Sequence, residues 1–103
     1  MSKIIIPLSD RANAHFLGTR FMARPLRQQL ENALDEHRNV TIDFSTTSVT
    51  QSFIDELMGT LILKNGPDLI NRLTFKECST DVKEIIRLVI GKRVKDYNTS
   101  HQH

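Results

Sequence analysis

The sequence predicts a single-domain α/β protein in which three helices pack on a small sheet that is mixed or mostly parallel. Its length of 103 residues fits one domain, and 39% hydrophobic with 25% charged residues is typical of a globular chain. Segments with the two-residue apolar period of strands alternate with segments that have the three- and four-residue spacing of helices. Such alternation favours strands that are joined through helices and therefore run mostly parallel.

The first half of the chain contains two predicted strands and the first helix. "KIIIPL" predicts a short strand, with Pro7 either ending it or placing it at a sheet edge. "HFLG" is a candidate second strand that would close a hairpin at Gly18. Helical spacing begins at Thr19, and Pro25 is tolerated only near the opening turn of that helix. The predicted buried face consists of Leu26, Leu30, Ala33, Leu34 and His37.

The second half contains two strands that alternate with two helices. "NVTIDF" and "RLTFKE" predict strands with one face in the core. After "STTS", a second helix uses Phe53, Leu57, Met58, Leu61 and Ile62, and it ends at Gly66 and Pro67. Ser79 or Thr80 caps a third helix that Gly91 would stop. Residues 1–95 are expected to form the domain, and residues 96–103 a polar, flexible tail.

The start of the second helix carries the main candidates for a functional site. Ser52 followed by Asp55 is close to a capping box, and Thr50 is an alternative cap. Free backbone donors at a helix start also favour an added phosphate, so Ser52, with Thr50 in reserve, is a phosphorylation candidate. Asp43, at the end of the preceding strand, is expected to orient the loop through hydrogen bonds.

Charged residues near these candidates have two open interpretations. Asp55 and Glu56 are about 100° apart around a helix, so they do not form the facing pair of a hydrolase. Both would offset the helix dipole, or alternatively contact a partner. Arg20, Arg24 and Arg27 recur at helical intervals, which is typical of a solvated face but also suits carboxylates or phosphates on a partner.

Composition and motifs argue against several functional classes. No glycine-rich phosphate loop, GxSxG or CxxC is present, so we expect no catalytic residues, no metal and no cofactor. The single cysteine, Cys78, is expected to pack in the core and fits a reducing compartment. This compartment and the absence of a signal-peptide pattern in residues 1–8 lead us to expect a cytoplasmic location. No apolar stretch approaches the ~20 residues that span a bilayer, so no membrane partner is expected. The histidines are isolated or lie in the tail: His15, His37, His101 and His103.

The stretch "VTIDFSTTSVTQSFIDELMG" resembles the STAS-like domain family of unknown function. Asp43 and Phe44 match the end of that family's strand, and the following helix matches its Q-x-F-x-D-E-apolar pattern. The matching helix residues are Gln51, Phe53, Asp55, Glu56 and Leu57. The family is similar to the STAS domains of anti-sigma factor antagonists, which bind a histidine-kinase-like ATPase and are released when it phosphorylates a serine.

The resemblance implies a STAS-like fold and a regulatory, partner-switching function. Ungapped placement puts Ser52 at the phosphorylated position, but Gln51, Phe53 and Ile54 replace the aspartate, second hydroxyl and glycine of the antagonists. The implied partner is a kinase-like ATPase or another signalling protein. The implied contact residues are Thr46, Thr47, Ser48, Thr50, Gln51, Ser52, Asp55 and Glu56.

Two other functions stay open at this point. STAS-like folds can carry a small ligand or nucleotide, which would make the chain a sensor. The row of Arg20, Arg24 and Arg27 with the basic tail would suit nucleic acid, although a net charge of +2 does not by itself indicate it. The strand "KIIIP" could also pair between chains at an exposed sheet edge and give a homo-oligomer.

Overall fold

The computed structural model describes residues 3–8, 16–36, 38–45 and 47–101. The strands are β1 Lys3–Pro7, β2 Phe16–Leu17, β3 Asn39–Asp43, β4 Ser48–Val49 and β5 Leu73–Lys76. The helices are α1 Arg20–Asp35, α2 Gln51–Ile54, α3 Thr60–Asn65 and α4 Thr80–Ser100. A π-helical turn, Asp55–Gly59, joins α2 to α3, and a 3-10 helix, Pro67–Arg72, precedes β5.

The strands form two parallel sheets, which confirms the predicted α/β fold class. β1, β3 and β5 form a three-stranded sheet in that order, with β3 in the centre. The predicted hairpin at Gly18 is wrong, because β2 pairs in parallel with β4 and not with β1. Leu17 and Val49 are both buried at this pairing, and Thr50 N donates to Leu17 O at 3.2 Å.

The central strand β3 is buried more completely than the alternating pattern predicted. Val40 and Ile42 face the core as expected, but Thr41 between them is also buried. Thr41 lies in register between Ile5 of β1 and Thr74 of β5, both of which are exposed. A central strand is shielded from water by its two neighbours. The alternating pattern of one strand does not show this shielding, because it contains no information about the neighbouring strands.

The first helix forms where its spacing predicted. Thr19 caps α1 and accepts a hydrogen bond from Met22 N at 3.2 Å. Its buried residues are Ala23, Leu26, Leu30, Ala33 and Leu34, and Pro25 lies inside the helix. His37 lies outside the described residues.

The second predicted helix is a continuous helical segment, residues 51–65, that contains the π turn. Phe53 to Gly59 are all buried, and the segment ends at Gly66, whose φ of +94° is the left-handed conformation that glycine tolerates. The expected stop at Gly66 and Pro67 is therefore confirmed. The segment packs against both α1 and α4.

The last helix is longer than predicted. Ser79 caps α4, as expected, and accepts from Val82 N at 3.2 Å. The predicted stop at Gly91 is wrong, because the helix continues to Ser100. A single helical glycine costs only about 1 kcal/mol, and the packing of later residues on the 51–65 segment outweighs that cost. Within the described residues, no helix combines the length and hydrophobicity that crossing a membrane requires.

Candidate functional site

The loop after β3 leads into the candidate site and is held by Asp43. Asp43 Oδ1 accepts from Ser45 N at 3.1 Å and from the Ser45 hydroxyl. The predicted orienting role of Asp43 is thus confirmed. Thr46 lies outside the described residues, Thr47 is buried, and Ser48 is exposed in β4.

The two phosphorylation candidates have different environments. Thr50 caps the 51–65 segment, because its Oγ1 accepts from Phe53 N at 3.1 Å and donates to Gly18 O at 2.9 Å. Of the two caps that the sequence offered, Thr50 is therefore confirmed and Ser52 is wrong. Ser52 lies one residue inside the helix, is exposed, and forms no side-chain hydrogen bond with the described residues. Its neighbour Gln51 is also exposed.

Asp55 and Glu56 form the centre of an ion-pair network. Both residues are only 8% exposed. Asp55 accepts from Arg93 Nε and Nη2, each at 2.7 Å, and from Arg20 Nη1 at 2.8 Å. Glu56 accepts from Arg27, and its Oε1 lies 3.6 Å from Arg20 Nη1. The two interpretations from sequence, charges that offset the helix dipole or contacts with a partner, both omitted the main contacts of these carboxylates, which come from distant parts of the chain.

The network shifts the pKa values of Asp55 and Arg93. The hydrogen bond from Arg93, with the bond from Arg20 beside it, holds the pKa of Asp55 below its ordinary value, although burial acts in the opposite direction. The same bond to Asp55 raises the pKa of Arg93. Asp55 therefore stays ionised at neutral pH and binds α1 and α4 to the 51–65 segment.

The predicted arginine row is not a uniform solvated face. Arg20 and Arg27 bind Asp55 and Glu56, whereas Arg24 is exposed and makes no ion pair with any described residue. Two of the three cations are therefore already neutralised within the chain.

Arg93 is a site residue that sequence reasoning missed. It follows Gly91, beyond the expected end of the helix. The available signal was spacing, because Val82, Ile86, Val89 and Arg93 succeed one another at steps of three and four residues. Such spacing places Arg93 on the buried face of a helix that does not stop at Gly91.

A small cavity lies beside Ser52, between α4 and the start of the 51–65 segment. Its volume is about 230 Å³. Its lining consists of Arg20, Gln51, Ser52, Asp55, Val89, Lys92 and Arg93. Lys92 is exposed and forms no ion pair with the described residues, so the cavity has a cationic wall.

A shallower groove continues along α4 in the direction of its N-terminus. It is lined by Ser48, Val49, Ser79, Asp81, Val82, Glu84, Ile85 and Leu88. Leu88 is 60% exposed, and so is Phe16, which pairs with Ser48 in the small sheet. Two large apolar side chains are thus presented to solvent, Leu88 from α4 and Phe16 from β2.

The remaining candidates do not join this site. Cys78 is half-buried and packs against the core, and burial raises the pKa of its thiol. His101 Nδ1 lies 2.8 Å from Tyr97 O, whereas His15 and His103 are outside the described residues. Among the described residues, no three His, Cys, Asp or Glu side chains are grouped so that they could hold a metal ion.

Comparison with known proteins identifies the family. No curated protein and no solved structure matches the chain. Residues 22–83 match the family described as a STAS-like domain of unknown function, which is more than half of the chain. The matched range includes most of α1, the central strand and the whole 51–65 segment with Ser52, Asp55 and Glu56. The chain therefore belongs to the STAS-like domain family of unknown function.

Proposed function

We propose that this chain is a non-enzymatic regulatory module that binds a kinase-like ATPase or another signalling protein and releases it when Ser52 is phosphorylated. The observation that carries the proposal is the state of the Ser52 side chain. It is exposed and free of hydrogen bonds to described residues, whereas Thr50 is engaged on both sides. A kinase can reach the Ser52 hydroxyl without breaking a helix cap. The similarity of the family to anti-sigma factor antagonists supports the partner class.

The proposed contact surface consists of the exposed residues around Ser52. Phe16 and Leu88 supply apolar area, and the exposed Ser48 and Gln51 supply polar groups. Exposed aromatic and aliphatic anchors beside hydrogen-bonding side chains are typical of transient protein interfaces. Asp55 and Glu56 are buried, so their part in this proposal is to position α1 and α4 around the surface.

Phosphate at Ser52 would act on this surface by charge. It adds about −1.5 to −2 charges, which a partner that buries Phe16 and Leu88 would have to desolvate. Repulsion of this phosphate by Asp55 and Glu56 is a minor contribution because arginines bind both carboxylates.

The test is recovery of partners from a lysate of the source organism with four baits: wild type, Ser52→Ala, Ser52→Asp and Ser100→Asp. Ser100 is exposed at the end of α4 and supplies a charge of the same sign away from the site. We expect wild type, Ser52→Ala and Ser100→Asp to recover one signalling protein or ATPase, and Ser52→Asp to recover at least about tenfold less. Mass spectrometry of the wild-type bait should find phosphate on Ser52.

Equal recovery by Ser52→Asp and wild type, with no phosphate on the bait, would remove the switch. Recovery of no common partner by wild type and Ser52→Ala would remove the binding function as well. A further bait, Leu88→Ser, tests the surface independently of Ser52, because it should lose the partner without changing any charge.

A further inference from the structure

The cavity beside Ser52 has an excess of positive charge. Three of its lining residues are cations, Arg20, Lys92 and Arg93, and one is a carboxylate, Asp55. Both oxygens of Asp55 are already bound by arginine, so this carboxylate projects little free negative charge into the cavity. Lys92 adds a cation that no described carboxylate neutralises.

The excess persists when the neighbouring charges are included. Glu56 lies close to Arg20 and is bound by Arg27. Including this pair adds one negative and one positive charge, so it does not change the balance. Asp96 Oδ2 lies 3.6 Å from Arg93 Nη1. The wider network therefore holds four cations and three carboxylates, and Lys92 is the cation in excess.

The polar groups around this charge suit one type of ligand. Arg20 uses only Nη1 for its carboxylates, so its other donors are available. The Ser52 hydroxyl and the Gln51 amide are exposed neutral donors on the same cavity wall. A phosphoryl group has three acceptor oxygens and nearly two negative charges, which match several donors better than the two oxygens of a carboxylate do.

We propose that this cavity is a phosphoryl-binding site formed by Arg20, Lys92, Gln51 and Ser52. The phosphoryl group has two sources that share this chemistry. One is a phosphate on Ser52 itself, and that source rests on the proposed function. The other is the phosphate of a free monoester, which does not depend on it. In either case phosphate binds the donors of Arg20 that Asp55 leaves free, so occupancy is reported at the Arg20–Asp55–Arg93 link through which the 51–65 segment joins α1 to α4.

The experiment has two arms, and both use the full chain at constant ionic strength. In the first, unmodified protein is titrated with inorganic phosphate, with chloride as the reference anion, and the arginine Nε–H signals are followed by NMR. In the second, phosphoserine is installed at position 52 or, as a control, at position 100, and the phosphorus resonance is titrated with pH. Lys92→Gln and Lys95→Gln are made in both arms, because both lysines are exposed on α4 but only Lys92 lines the cavity.

Saturable binding of free phosphate that Lys92→Gln weakens about fivefold, and Lys95→Gln leaves unchanged, supports the site with a free source. If only phosphoserine at position 52 titrates at a lower pH than at position 100, by about half a unit, and Lys92→Gln reduces this difference, the source is Ser52. Absence of both effects overturns the proposal. If either phosphate result is obtained but Ser52→Asp recovers the partner as well as wild type does, the proposed function is refuted and the phosphoryl-binding site is kept.

Discussion

The carboxylate of Asp55 accepts three charge-assisted hydrogen bonds from arginines on two different helices. Because these bonds require the ionised carboxylate, they hold its pKa low, with Arg93 as the main cause. A carboxyl whose pKa is lower in the folded than in the unfolded chain stabilises the fold above the unfolded pKa of ~3.9. That stabilisation is lost as the pH falls through the lower, folded value. Asp55 is therefore expected to make the fold acid-sensitive.

Replacing Asp55 by asparagine tests this expectation. Asp55→Asn should lower the free energy of unfolding by about 2 kcal/mol at pH 7, because it removes the charge that two arginines bind. The difference between the variant and the wild type should shrink as the pH falls from ~4 through the lower folded pKa of Asp55, because the carboxyl becomes neutral first in the unfolded chain and then in the folded one. Urea unfolding of both proteins at pH 7, 4.5 and 3 measures it.

Asp96→Asn is the matched control. Asp96 contacts the same Arg93 at 3.6 Å, but its side chain is 40% exposed, so its removal should cost less than about 0.5 kcal/mol. A difference between Asp55→Asn and wild type that stays constant from pH 7 to pH 3 would contradict the assigned role of the ionised Asp55.

At the scale of the elements, two helical glycines show where the packing is tight. A Cβ on Gly59, in the π turn, would lie 2.3 Å from Asp55 Oδ1 and 3.0 Å from Val89 Cγ1. A Cβ on Gly91, in α4, would meet no atom within 4 Å. Neither glycine has a positive φ, so both positions accept alanine as far as the backbone is concerned.

The same substitution should therefore have opposite effects at the two positions. Gly91→Ala should raise the free energy of unfolding by about 0.5–1 kcal/mol, because alanine is the better helix former. Gly59→Ala gains the same helix propensity. It should nevertheless lower the free energy of unfolding by about 2 kcal/mol, because its methyl group displaces Asp55 from Arg93. Urea unfolding at pH 7 distinguishes the two. Stabilisation by both variants would show that α4 does not approach the π turn this closely.

Local patterns predicted most elements but not the junctions between them. Apolar spacing located α1, the 51–65 segment and α4 but not the 3-10 helix Pro67–Arg72, and Ser79 and Gly66 marked a start and a stop correctly. Gly91 was misread because a glycine signals a stop only when no later packing continues the helix. The π turn left no signal, since the spacing from Phe53 to Ile62 also fits an uninterrupted α-helix. Thr50 prevailed over Ser52 as the cap because it also bonds Gly18, a contact that local sequence does not contain.

At the scale of the whole molecule, the ion-pair network depends on pairs that lie far apart in the chain. Arg20 and Asp55 are separated by 35 residues, and Asp55 and Arg93 by 38. The sequence identified Arg20, Ser52 and Asp55 as separate candidates, but their convergence required the packing of α1, α4 and the 51–65 segment. A cavity is likewise a property of three elements together, so neither it nor Lys92 could be predicted from any one of them.

The end of the domain is the last feature that the whole fold determines. Residues 96–100, part of the predicted tail, form the last turn of α4, and the Tyr97 ring lies against Gly66. A Cβ on Gly66 would be 3.1 Å from that ring, and Tyr97 is half-buried there. This contact joins the end of the 51–65 segment to α4, so we expect the domain to include Tyr97 and not to end at residue 95.

Two shortened chains and one substitution test that boundary by urea unfolding. A chain that ends at residue 101 should match the full chain within about 0.5 kcal/mol, because it keeps the His101 ring that stacks on Tyr97. A chain that ends at residue 95 should lose about 2 kcal/mol, and Tyr97→Ala in the full chain should account for most of that loss, because the half-buried ring supplies the contact. If the 95-residue chain is as stable as the full one, the helix beyond Lys95 forms without contributing to the fold. If it is destabilised but Tyr97→Ala is not, helix length and not the aromatic contact stabilises this end of the molecule.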